Sequence, residues 1–146
     1  MTRPLIRLRI LSIVHLLTAL GLVKFWYDFF YGTAFPAEEL RGLVPNFDGY
    51  AAWEEAFVYP DLILAAGFLL SAILLWRGRG QLVAATATGG LLFLGALDLS
   101  YGITSGFMAI DHAFIDGVKQ AVFSALGAGL FSLAVLLWPR PELAGV

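Results

Sequence analysis

Four long apolar segments, each about the length of a membrane-crossing helix, dominate this chain of 146 residues. A helix rises about 1.5 Å per residue, so about 20 mostly apolar residues cross the hydrocarbon core of a bilayer. Turn residues separate the four segments, which are residues 10–30, 56–76, 82–103 and 115–138. The sequence therefore predicts an all-α integral membrane four-helix bundle, with residues 1–146 forming a single transmembrane domain.

Composition supports a membrane protein and excludes several other classes. Charged residues make up 14% of the chain, whereas soluble domains carry roughly 25%. The net charge is −2 and no long basic run occurs, so no nucleic-acid partner is expected. Cysteine is absent, which excludes disulfides and cysteine-ligated metals. The first apolar segment is too long for a signal peptide and lacks a small-residue cleavage site, so we expect it to stay as the first span.

Lysine and arginine residues outside the spans concentrate at one end of the predicted bundle. That end holds Arg3, Arg7, Arg9, Arg77, Arg79 and Arg140. The opposite end holds only Arg41. The positive-inside rule therefore predicts a multi-pass cell-membrane protein with both termini in the cytoplasm. Residues 31–55 would form a long outer loop with structure of its own, including one short helix and a second helix that begins near Tyr50.

Ionisable residues inside the spans share one depth, near the predicted outer ends. A charge within the bilayer is costly, so such residues usually face the bundle interior and find a partner. We therefore predict one outward-opening polar pocket. Its candidate binding residues are Lys24, Asp28, Glu54, Asp61, Asp98, Asp116 and Lys119.

Two pairs among these residues have a simpler structural explanation. Lys24 and Asp28 are spaced for an ion pair along one helix, and so are Asp116 and Lys119. Such pairs can reach the lipid head groups without any binding role. Asp61 and Asp98 have no basic partner in their own helices. We predict that their carboxylates point into one cavity, with Lys24 or Lys119 within reach of at least one of them.

The two histidines do not indicate a metal or cofactor site. His112 follows Asp111, which is predicted to cap the fourth helix. A metal site formed by His112, Asp111 and Asp116 would lack a second spaced histidine, so no metal is expected. His15 is predicted to be a packed residue hydrogen-bonded to a neighbour. No nucleotide or dinucleotide motif is present, and no cofactor is predicted.

Small residues recur at every fourth position of the last span, at Gly117, Ala121, Ala125 and Gly129. Such a stripe lets another helix approach closely. It favours packing within the bundle. The alternative is contact with a second copy of the chain or with a larger membrane complex.

In architecture the chain resembles two families of small membrane proteins. One is the DoxX-like family of four-helix bundles. The other is the EXPERA group of sterol isomerases and a ligand-binding sigma receptor, which have a long first outer loop and acidic residues facing a sterol-sized cavity. This second resemblance implies comparable places for Asp28, Glu54 and Asp61.

Three functions follow as alternatives. The first is a pocket that binds, and in one version transforms, a lipid-like or amphiphilic small molecule, because aromatic residues around carboxylates suit an apolar ligand with a polar or cationic head. Any chemistry would be proton transfer by Asp61, Asp98 or Glu54. The second is an accessory subunit or assembly factor of a larger membrane complex. The third is a small proton- or cation-coupled transporter.

Overall fold

The computed structural model describes residues 3–31 and 37–138, and within these ranges the chain is helical with no β-strand. The helices are α1 (Arg3–Tyr31), α2 (Ala37–Leu43), α3 (Phe47–Trp76), α4 (Gln81–Thr104), a 3-10 helix (Phe107–Ala109) and α5 (Ala113–Leu137). Four of them, α1, α3, α4 and α5, are long and apolar enough to cross a membrane. The prediction of an all-α fold with four helices long and apolar enough to span a membrane is confirmed.

Helices that follow one another along the chain are also neighbours in space. The main packing partners are α1 with α3, α3 with α4, and α4 with α5, whereas α1 and α5 touch much less. We call the end that holds α2 and the 3-10 helix the α2 end. The end that holds residues 77–80 is the turn end. The orientation of these ends in a membrane remains a prediction, and Arg140 lies outside the described residues.

The helix predicted to begin near Tyr50 and to run into the second span begins at Phe47, and the span predicted at residues 56–76 is its later part. Asn46 adopts the left-handed conformation (φ 55°), and α3 then runs unbroken from Phe47 to Trp76 with Pro60 inside it. Proline removes one backbone hydrogen bond but leaves the helix continuous here. Residues 47–55, about a third of the predicted loop, are therefore the first part of α3, which places Glu54 and Asp61 on the same helix. The short loop helix is α2, and residues 32–36 of the loop lie outside the described residues.

Glycine makes the tight connection between α3 and α4 possible. Gly78 and Gly80 both have positive φ, at 78° and 88°. A Cβ atom at Gly80 would also lie 2.4 Å from the Cβ atom of Leu74. These constraints set α4 antiparallel to α3 directly after the turn.

The start of α5 differs from the prediction in its capping residue. His112, not Asp111, is the N-cap: it has an extended backbone and its Nδ1 accepts a hydrogen bond of 3.2 Å from the Phe114 amide. Nε2 of His112 lies 3.3 Å from Oε2 of Glu39, which connects α2 to α5. The carboxylate of Asp111 is exposed. A histidine can replace the usual short polar cap because its ring nitrogen accepts the same hydrogen bond.

Three apolar clusters hold the bundle together, one at each end and one in the middle. The cluster at the α2 end contains Leu40, Val44, Phe47, Tyr50, Phe107, Ile115 and Val118. The middle cluster contains Ala19, Phe68, Ala87 and Leu91. The cluster at the turn end contains Leu11, Leu75 and Ala84, with Leu8, Val135 and Leu136 packed against it. At the turn end the Arg7 guanidinium also lies 5.1 Å from the ring of Trp138, linking α1 to α5.

His15 has the packing role expected from the sequence. Its side chain is fully buried, its Nδ1 lies 2.8 Å from the hydroxyl of Ser71, and its ring meets Phe68 edge-on at 4.7 Å. One turn earlier, Ser12 donates a hydrogen bond of 2.7 Å to the Ala72 carbonyl. These contacts fix α1 against α3.

The small-residue stripe of α5 divides among three environments. Gly129 is buried, and a Cβ atom there would lie 2.7 Å from Cδ2 of Leu92 on α4. Ala121 and Ala125 line an internal cavity. Gly117 is exposed with open space around it. Close contact with α4 therefore occurs at Gly129. A contact with a second copy remains a prediction.

Candidate functional site

A cavity of about 440 Å³ lies inside the bundle. Side chains from all four spanning helices and from the 3-10 helix line it. Its length runs from the aromatic residues at the α2 end to the apolar cluster in the middle of the bundle. The candidate site is this cavity, because it brings together residues that are far apart in the sequence.

Three carboxylic acids line the cavity: Glu54 and Asp61 on α3, and Asp98 on α4. Glu54 and Asp61 are seven positions apart, which is about two helical turns and places both on one face of α3. Asp98 lies close enough to both for the charges to interact. All three are partly buried. The result is a concentration of carboxyl groups within the helical bundle.

Each acid has an aromatic partner. Trp26 of α1, only 3% exposed, donates a hydrogen bond of 3.0 Å from Nε1 to Oδ2 of Asp61. The Trp53 indole lies beside Asp98. The Tyr50 hydroxyl lies beside Glu54 but forms no well-aligned hydrogen bond with any described residue. The aromatic partners supply hydrogen-bond donors, but they do not supply positive charge.

Stacked aromatic rings cover the cavity at the α2 end. Tyr50 stacks on Phe107 of the 3-10 helix with centroids 4.5 Å apart and planes 20° apart. Trp53 stacks on Tyr101 of α4 at 4.4 Å and 9°. Tyr50 and Phe107 are 1% and 2% exposed. This end of the cavity is therefore covered, although the sequence predicted that the pocket opens there.

The other half of the cavity is apolar. Its walls come from Val14, Leu17, Leu91, Leu94 and Ala128. On α1, Val14 and Leu17 lie 9–12 residues before Trp26, the residue that contacts Asp61, and therefore lie farther from the α2 end. The lining thus has an acidic, aromatic half and an aliphatic half.

The exposed residues of the lining lie on α1 and α5. They are Leu17, which is 62% exposed, together with Gly21 and Ser124. Leu17 is the central residue of α1, and Ser124 lies one residue from the centre of α5. We call the region between these exposed residues of α1 and α5 the mouth. At this height a spanning helix faces the hydrocarbon core of the bilayer.

Four of the predicted site residues are not in the cavity lining. Lys24 and Asp28 form an ion pair on the outside of α1. Nζ of Lys119 lies 2.8 Å from Oδ1 of Asp116 and donates a hydrogen bond of 2.9 Å to the Ile110 carbonyl. Neither lysine lines the cavity with Asp61 and Asp98. Each lysine pairs with an acid of its own helix, because a pair within one helix does not require contact with another helix.

Sequence reasoning missed the aromatic partners of the acids as site residues. A usable signal was present: Tyr50, Glu54, Phe57 and Asp61 follow the spacing of one helix face. This spacing is informative only if the helix passes through Pro60, which the structure shows. Trp26 gave no such signal, because its role depends on contact between α1 and α3.

No cluster of His, Cys, Asp or Glu residues in the described ranges has an arrangement suited to a metal ion. Comparisons with known proteins found no matching family model, curated protein or solved structure. The function is therefore inferred from the geometry and chemistry of the cavity.

Proposed function

We propose that this membrane protein binds a lipid-like or amphiphilic small molecule inside its helical bundle. The observation that carries the proposal is the division of one cavity into an acidic, aromatic half and an aliphatic half. A molecule with a polar head and an apolar tail matches this division, because each part would contact groups of similar polarity. A purely polar solute would leave the aliphatic half without a suitable contact.

The size of the cavity supports the same conclusion. Pockets for small molecules usually measure about 300–1,000 Å³, and this cavity of about 440 Å³ lies in that range. It can hold a head group and part of a tail. The mouth gives the remaining tail a path toward the hydrocarbon core.

Proton transfer is the reaction class that the lining would support if the bound molecule is transformed. Asp61, Asp98 and Glu54 are its acidic groups, and general acid–base catalysis needs such a group within hydrogen-bond reach of the ligand. The proposal itself concerns binding.

Three of the four small residues of α5 have a role within the bundle, so they give an accessory subunit little support, whereas Gly117 is exposed. Gly129 contacts α4, and Ala121 and Ala125 line the cavity. These positions are used within the chain.

Filling the cavity tests the proposal. Ala121→Phe places a ring in the lining, whereas Ala96→Phe places the same ring on an exposed position of α4 outside the lining. Both variants and the parent are purified from membranes in mild detergent, and the amphiphiles that remain bound are quantified by mass spectrometry. We expect near-stoichiometric retention in the parent and in Ala96→Phe, and a clear loss in Ala121→Phe.

Two outcomes would contradict the proposal. One is a parent protein that retains no amphiphile above the level of an unrelated membrane protein. The other is equal retention by the two phenylalanine variants when circular dichroism and gel filtration show that both are folded.

A further inference from the structure

We infer that the head group bound in this cavity is a cation, such as an amine or a quaternary ammonium group. This inference rests on the proposed function and adds the charge of the ligand to it. It starts from a charge imbalance in the lining. Glu54, Asp61 and Asp98 line the cavity, and none of its described lining residues is Lys, Arg or His.

The nearby bases do not correct this imbalance. Lys24 is paired with Asp28 on the outside of α1. Lys119 contacts Asp116 and the Ile110 carbonyl. Each lysine already has an acidic partner outside the lining. The three acids of the cavity therefore have neighbours that donate hydrogen bonds but no positively charged partner among the described lining residues.

A buried hydroxyl inside the cavity, that of Tyr50, lies beside Glu54 without a well-aligned hydrogen bond. The Tyr50 side chain is 1% exposed, lines the cavity, and its hydroxyl has no well-aligned partner among the described residues. Buried hydroxyls are normally hydrogen-bonded. A ligand head group beside Glu54 would place a polar atom or an ordered water next to this hydroxyl. This observation points to the same half of the cavity as the three acids.

The aromatic walls fit a cation better than a neutral or anionic head. Trp26, Trp53 and Tyr101 line the acidic half. Ring faces attract ammonium groups, most strongly where water is excluded. Both carboxylates would repel an anion, whereas one cation between Asp61 and Asp98 would be attracted by both of them. A buried charge needs such compensation.

A series of amphiphiles with one tail and three head groups tests the inference. The parent protein in nanodiscs is titrated with hexadecyltrimethylammonium, hexadecanol and hexadecyl sulfate, each at a few molecules per disc. Binding is followed by the fluorescence of the tryptophans and corrected for partitioning into empty nanodiscs. We expect the cation to bind about 30-fold more tightly than the alcohol, which corresponds to one desolvated cation–π contact. The sulfate should bind most weakly.

Charge-removing variants show whether the preference comes from this cavity. Asp61→Asn and Glu54→Gln keep the side-chain size, and each should reduce the preference for the cation over the alcohol at least several-fold. Asp116→Asn is the matched control, because Asp116 lies outside the lining. It should leave the preference unchanged. Using two variants at separate positions keeps the test valid if one of them does not fold.

The outcomes separate this inference from the proposed function. Equal affinity for the cation and the alcohol, or tighter binding of the sulfate, would overturn the cationic head group while leaving amphiphile binding in place. A preference that survives in both folded cavity variants would also overturn it. Failure of all three amphiphiles to bind would overturn the proposed function as well.

Discussion

Replacing Gly129 with alanine should weaken the contact between α4 and α5. The added Cβ atom would lie 2.7 Å from Cδ2 and 2.9 Å from Cγ of Leu92, so Leu92 or the helix must move. Overpacking of this kind costs about 1–3 kcal/mol. Alanine also favours a helix over glycine by about 1 kcal/mol. The net effect should lie between no change and a loss of about 2 kcal/mol.

Gly127→Ala is the control that isolates the packing cost. Gly127 is exposed, lies two residues away on the same helix, and has no atom within 4 Å of an added Cβ. It should gain the helix preference without the overlap. The two variants should therefore differ by about 1–3 kcal/mol in unfolding free energy. The assay is reversible unfolding in mixed micelles of increasing sodium dodecyl sulfate content, followed by circular dichroism.

Shortening Leu92 tests the cause directly. In a Leu92→Ala background, the added methyl group at residue 129 keeps only an ordinary contact of 3.8 Å with Cδ2 of Leu91, so most of the difference between the two alanine variants should disappear. Equal stability of Gly129→Ala and Gly127→Ala would refute the packing argument. An undiminished difference in the Leu92→Ala background would refute Leu92 as its source.

Three further predictions concern the cavity and the topology. Trp26→Phe removes the hydrogen bond to Asp61 and should lower the free energy of unfolding by about 1–3 kcal/mol; a change within a few tenths would mean that this bond contributes nothing. Gly21→Phe narrows the mouth and should slow uptake of an amphiphile from nanodiscs, whereas Gly127→Phe should not; equal uptake rates would place the entrance elsewhere. A single cysteine replacing Arg79 in this Cys-free chain should react with an impermeant thiol reagent only from the cytoplasmic side. Modification of this cysteine when the reagent is added outside intact cells would contradict the predicted topology.

The spanning helices could be predicted from the sequence because the signal that identifies a span is local. An apolar run of about 20 residues identifies a span whatever its neighbours are. The helix that enters the second span was predicted to begin near Tyr50 and begins at Phe47. The sequence left open whether it continues through Pro60, because a proline can interrupt a helix.

Which charged residues share the cavity could not be decided from the sequence. Lys24 and Asp98 occupy similar depths, yet one lies outside the bundle and the other inside. The difference depends on the rotation of each helix about its axis, which interhelical packing sets. The hydrogen bond from Trp26 to Asp61 is equally non-local, since it joins residues 35 positions apart.

The two helices beside the mouth are the first and last of the four spanning helices that the structure describes. Connecting segments link α1 to α3, α3 to α4 and α4 to α5, but no described segment links α5 back to α1. Among the described residues, side chains join the seam between α1 and α5 at the turn end, where Arg7 meets Trp138. It can part without stretching the backbone. Lateral pressure in the surrounding lipid acts directly on this seam, so bilayer thickness and curvature should influence how readily the bundle exchanges its contents.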